Sequence, residues 1–297
     1  MSSASRKLAT SIVAIGIAAG AVVLATAKAC TQSTQSARCP QGFQALGARC
    51  CLLGQILQDN RCLGTPATCP STHTATNGTC VVKARRVLIG PGSVRIGPGD
   101  WEAQGVVNPV DVIIAAPFRI DAAEVTVARW NACVQSEACA SLASDDPGRP
   151  ARGITFDEAA SFCRWDDGAL PTEDQWVYAA AGAKARRYPW GDTGAVCRRS
   201  SWGLVDGPCA RNGAGPDLAA IHEDGATPEG VFDLAGSVAE WVVSRSGTPQ
   251  ARGGSWRTSL ATELRTWHAE VRDPLKRWDD VGVRCIYPAD QKESVHP

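Results

Sequence analysis

The sequence carries no net charge: 30 Lys and Arg stand against 30 Asp and Glu. A balanced chain has no field to gather nucleic acid, so no nucleic-acid partner is expected, and any membrane contact must come from something other than charge. Histidine is scarce: His73, His222, His268 and His296 are scattered along the chain. No C-x-x-C occurs, and His73 is the only histidine near the cysteine-rich start, so zinc is not expected there. G-x-S-x-G is absent, and with it the nucleophile elbow of a hydrolase. The glycine-rich "GPGSVRIGPG" lacks the strand-to-helix context of a phosphate loop and reads as turns. The most informative gap is "RGGSWRTSLATELRTW", residues 252–267, which holds no cysteine in a chain that has 13.

What is present begins with a targeting segment. Arg6 and Lys7 precede a nearly unbroken apolar run, Leu8 to Ala27, and then "ATAKAC" at 25–30. Ala27-Lys28-Ala29 is a small-x-small cleavage site, and Cys30 behind it is placed for lipidation, as in a bacterial lipoprotein. The expected organisation is a signal peptide over 1–29 and a polar tether over 30–38. Plain secretion and an uncleaved anchor are the alternatives, since the run approaches the ~20 residues a membrane span needs. Removing Cys30 from an odd count leaves an even number of cysteines to pair. All three alternatives put the mature chain outside the cytoplasm, in the cell envelope or beyond it, where disulfides persist.

Residues 39–81 form a repeat. Cys39 and Cys50, Cys51 and Cys62, and Cys69 and Cys80 bound three segments, each with a turn-forming stretch before its second cysteine: Gly47, Asp59-Asn60 and Asn77-Gly78. Asn-Gly in that setting is a strong two-residue hairpin signal. Units this short cannot build a core and need cross-links. Pairing within each unit is the simplest of fifteen connectivities open to six cysteines.

Further on, "VVKARRVLIGPGSVRIGP" (81–98) reads as strand, turn, strand, and "DVIIAAPFRI" (111–120) as a strand region. A helix is expected from Thr126, with Cys133 and Cys139 spaced to close a local loop. Thr155 with Glu158, and Thr172 with Gln175, are capping boxes opening two more helices, the second stopped by Gly182. Beyond Gly191 the chain is rich in Gly, Pro and Trp. The fold class is therefore an irregular α+β domain organised by loops and tryptophans.

Six blocks carry a resemblance. "FRIDAAEVTVARWNACV", "PARGITFDEAASFCRWDDGALPTEDQWVYAAAG", "YPWGD", "GVFDLAGSVAEWV", "ARGGSW" and "DVGVRC" occur in the order found in the formylglycine-generating enzyme/sulfatase-modifying-factor family. The resemblance spans residues 84–288, leaving 289–297 as a tail. It implies the family's variant of the C-type lectin fold, and it implies a bridge between Cys163 and Cys285. Cys197 and Cys209 are then expected to close the loop after "YPWGD".

Active members oxidise a sulfatase cysteine to formylglycine with oxygen and copper held by two cysteines. Counted from Ser255, which matches a family active-site serine, the two positions fall on Thr258 and Glu263. Neither supplies the soft sulfur that monovalent copper selects, so copper is not expected. The resemblance also implies calcium at "DLAGSVAEW", held by the Asp233 side chain, the Gly236 and Val238 carbonyls and the Glu240 carboxylate; hard oxygen donors suit that ion. The alternative is a structural turn in which Glu240 pairs with an arginine. Most tryptophans lie in family blocks and read as core, whereas Trp267 and Trp278 are the candidates for a binding surface. The stretch "RTWHAEVRDPLKRW" is expected to line a basic, aromatic groove mouth suited to a protein, peptide or glycan. Two functions follow: a non-catalytic, envelope-anchored binding protein with the repeats as stalk or partner module, or an oxidoreductase acting on exported proteins or small molecules through a different centre.

Overall fold

The computed structural model describes residues 39–291 apart from 48, 60, 77–78, 98–107, 145 and 214. The expected signal peptide and Cys30 lie outside the described residues, and so do His296 and most of the tail. No helix among the described residues is long and apolar enough to cross a membrane.

The eleven-residue cysteine spacing becomes three antiparallel hairpins: β1 (Phe43–Leu46) with β2 (Arg49–Leu52), β3 (Ile56–Gln58) with β4 (Arg61–Leu63), and β5 (His73–Thr76) with β6 (Thr79–Val82). Each register closes across two residues, with Gly47 and Asp59 at positive φ as such turns require. Disulfides Cys39–Cys50, Cys51–Cys62 and Cys69–Cys80 close the units one by one.

The repeats pack against the domain. Arg49 donates to the carbonyls of Gly215 and Pro216 at 2.9 and 3.0 Å. Cys39 and Cys50, with Phe43 and Ala45, pack on Ile221 and Leu218. On the third hairpin, His73 Nε2 donates to the Ala219 carbonyl at 2.9 Å, which leaves Nδ1 as the acceptor for the Thr72 hydroxyl at 2.8 Å. Burial, opposed by the Ala219 bond, lowers the His73 pKa to about 4. The ring stays neutral at ordinary pH and holds the hairpin against the domain.

The domain continues with β7 (Arg86–Ile89), β8 (Gly92–Ile96), β9 (Val110–Ile114) and β10 (Phe118–Asp121). Strands β7 and β8 follow each other but do not pair: β7 joins β10, and β8 joins β9. Helices α1 (Val127–Gln135), α2 (Phe156–Trp165) and α3 (Glu173–Ala181) start at Thr126, Thr155 and Thr172, the last two with complete capping boxes. Short strands then follow: β11 (Ala239–Val243), β12 (Pro249–Arg252), β13 (Ala269–Glu270), β14 (Val281–Gly282) and β15 (Ile286–Pro288). They complete two sheets, ordered β15-β10-β7 and β13-β12-β11-β14, with β11 and β14 parallel.

One core cluster places Trp176, Val177 and Ala180 of α3 against Ile96, Val112 and Ile114. A second stacks Trp130 on Phe162, with centroids 5.1 Å apart, beside Trp241 and Val283. The disulfide Cys163–Cys285 joins α2 to the chain end across 122 residues; Cys133–Cys139 and Cys197–Cys209 close local loops. Six disulfides suit an oxidising, extracytoplasmic environment.

In the chain-entropy account, closing so long a loop stabilises by about 5 kcal/mol. Replacing both Cys163 and Cys285 by Ala should therefore lower the melting temperature far more than replacing Cys133 and Cys139. Equal effects in thermal melts would contradict this assignment of weight.

Candidate functional site

Two neighbouring regions carry the residues singled out by the sequence. The first is an open cleft of about 500 Å³ lined by Ser255, Thr258 and Glu263 together with Arg257, His268, Glu270, Arg272, Trp278, Asp279 and Asp280. Its floor is the turn after β12. Gly254 lies at φ +67°, and a Cβ there would meet Leu264 at 2.9 Å and the Thr258 hydroxyl at 3.0 Å, so the turn closes only with glycine. Ser255 donates its backbone N–H to Thr258 Oγ1 at 2.9 Å and its hydroxyl to Asp280 at 3.1 Å. Thr258 is nearly buried and Glu263 half-buried on a short 3₁₀ turn.

These donors are hydroxyls and carboxylates. Every cysteine among the described residues is in a disulfide, so none supplies a thiol to the cleft. The set does not fit monovalent copper.

The mouth of the cleft is not the basic surface expected from the sequence. Arg257 pairs with Asp279, and Arg272 with Glu270 and, at 3.6 Å, with Asp280. Glu270 is held below the usual carboxylate range by His268, against its own burial, and then by Arg272. The cations are thus answered by carboxylates, two of which, Asp279 and Asp280, lie just outside the stretch that was read as basic. Their place directly before the "VGVRC" block was the available signal. Trp278 does line the cleft, but Lys276 Nζ lies 3.8 Å and Arg272 Cζ 4.7 Å from its ring centroid, so its π-surface is already engaged. Trp267 lies elsewhere, half-buried beside Ile96, Val112 and Val177.

The second region is the turn preceding β11. Both Glu240 oxygens are taken: Arg284 reaches them at 2.7–3.1 Å, and Trp176 Nε1 donates at 2.7 Å. Glu240 thus makes the arginine pair that the sequence held out as the alternative. Asp233 accepts from the Ala220 N–H at 2.6 Å. Sequence reasoning missed Glu124, fully buried beside them, which accepts from Ser237 Oγ at 2.8 Å and the Val238 N–H at 3.0 Å.

Burial raises all three carboxyls above their ordinary values. Glu124 is raised furthest, with Asp233 and Glu240 adding repulsion, while Arg284 opposes the shift in each. Among the described residues no three His, Cys, Asp or Glu side chains are grouped to hold a metal.

With this geometry established, the class follows. The chain belongs to the family of the sulfatase-modifying factor enzyme 1-like domain, whose model matches residues 73–289. The match begins inside the third hairpin, in keeping with that hairpin's contacts to the domain.

Among curated proteins the chain is similar to hercynine oxygenase of Mycolicibacterium thermoresistibile, 27% identical over 178 residues, covering 49% of this chain and 37% of that protein. It is also similar to inactive C-alpha-formylglycine-generating enzyme 2 of Bos taurus, 30% identical over 151 residues, covering 46% and 49%. The chain thus spans half or less of the length of these relatives. Among solved structures, Treponema denticola variable protein 1 shares the fold with a TM-score of 0.55 at 17% identity, covering 73% of this chain and 98% of that one.

Replacing Arg284 by Met should destabilise by about 3–5 kcal/mol, because it strands Glu240 among the two other buried carboxyls. Urea unfolding measures the loss. Near-native stability of that variant would show the pair to be dispensable.

Proposed function

We propose that this chain is a non-catalytic member of its family, anchored in the cell envelope, whose cleft binds a protein or peptide segment of mixed charge. The lectin-like scaffold would then serve as a display surface. One observation carries the proposal: the cleft around Ser255, Thr258 and Glu263 offers oxygen donors and paired charges, and every described cysteine is committed to a disulfide. The engaged ring of Trp278 weighs against stacking on a sugar and favours a ligand that exchanges ion pairs with Arg257, Arg272, Glu270 and Asp279.

A Cys-x-Pro-x-Arg peptide given copper and oxygen should gain no formylglycine when incubated with the chain. Mass spectrometry showing the aldehyde above a metal-free control would overturn the non-catalytic reading and restore the oxidoreductase.

Calcium enters the proposal in reduced form. The buried carboxyls of Glu124, Asp233 and Glu240 outnumber their nearby guanidinium, Arg284, and a divalent cation near Asp233 and the Gly236 and Val238 carbonyls would relieve that excess. Glu240 would contribute charge and not ligation. Chelation should lower the melting temperature of the wild type, and Asp233→Asn should blunt the response. A wild-type melt indifferent to chelator after calcium loading would leave the turn purely structural.

A further inference from the structure

The second hairpin differs from its two neighbours. Leu53, Ile56 and Leu63 are 55%, 63% and 38% exposed, three large aliphatic side chains on one disulfide-closed unit. Ile56 and Leu63 are direct cross-strand partners, so their side chains share one face. Leu57 takes the other face and closes on the first hairpin, where a Cβ at Gly47 would stand 2.9 Å from its Cδ2. The hairpin cannot turn over to hide its outer pair without giving up that contact. Single exposed aliphatics are ordinary, but such a group on a rigid unit asks for a cover.

The covalent geometry says what lies within reach. Cys39 is bonded to Cys50, and the adjacent Cys51 to Cys62, with Cα separations of 5.5 and 5.4 Å. With steps of 3.8 Å between consecutive residues, Leu63 is no more than about 19 Å from Cys39. The tether from Cys30 to Cys39 spans about 30 Å at full extension. An anchor at Cys30 therefore keeps Leu63 within about 50 Å of the bilayer, whatever the tether's conformation.

We infer that β3–β4 rests on the lipid surface, with Leu53, Ile56 and Leu63 entering the boundary between headgroups and acyl chains. The inference rests on the anchoring proposed above. Because the contact is apolar and the chain carries no net charge, it should be insensitive to salt and should not require anionic lipid.

The test places the full-length chain in phosphatidylcholine vesicles, with or without brominated acyl chains, and compares tryptophan emission of Ile56→Trp with wild type. Leu63→Trp serves as the second variant should the first fold poorly, and Val271→Trp, at a site 78% exposed, is the control. The added emission at 56 or 63 should be quenched by bromolipid at both low and high salt, and that at 271 should not. Vesicle flotation separates the two failures. If the chain floats but neither hairpin variant is quenched, the hairpin inference falls and anchoring stands. If the chain remains at the bottom of the gradient, both fall. Emission at 56 that responds to protein concentration and not to bromolipid would mean that a second copy covers the face, which also overturns the inference.

Discussion

Arg284 is the point at which the domain's parts meet. Its side chain has no exposed surface, and its guanidinium bonds the Glu240 carboxylate on β11, the Asp121 carbonyl on β10 and the Phe232 carbonyl at the start of the turn. The next residue, Cys285, is disulfide-bonded to α2 and donates its N–H to Asp121 Oδ2 at 3.1 Å. Burying a guanidinium costs several kcal/mol, which only complete hydrogen bonding with a charged partner offsets. Loss of any one partner therefore disturbs both sheets, the helix and the turn together.

That constraint accounts for the shape of the cleft. The turn held by Arg284 runs on to Gly236 and Ser237, whose backbone bonds Gly253 and Trp256 at 2.9 and 2.8 Å. Those bonds fix the Gly-Gly-Ser turn, and the turn sets Ser255 and Thr258. None of these links involves a thiol. The Thr258 hydroxyl has a structural task of its own in accepting the Ser255 N–H. The cleft is thereby preserved as a shape whose surface chemistry is ion-paired and oxygen-rich.

Much of this was legible in the sequence because it is local or covalent. Thr126, Thr155 and Thr172 announce their helices through bonds three residues away, and the cysteine spacing announces hairpins that close on themselves. The family blocks supplied the one long bridge, Cys163–Cys285. What escaped was side-chain pairing over long separations. Arg49 meets a carbonyl 166 residues away, so the docking of the repeats leaves no local pattern. Glu240 pairs with Arg284, 44 residues on, a partner that no local pattern around Glu240 names. The groove mouth was read as basic because Arg272 and Arg277 are visible in the stretch, whereas Asp279 and Asp280, which answer the arginines of the cleft, fall one and two residues beyond it.

The central proposal is that the family's scaffold serves here without a thiolate centre. It is tested most directly by titrating copper(I) into the anaerobic protein under native mass spectrometry, in a Cys30→Ser background that removes the one cysteine outside the described disulfides. The account predicts no stoichiometric copper on this chain and about one equivalent once Thr258→Cys and Glu263→Cys are introduced together, since two thiolates are the ligands this ion selects. One equivalent held by the chain without those substitutions would contradict it.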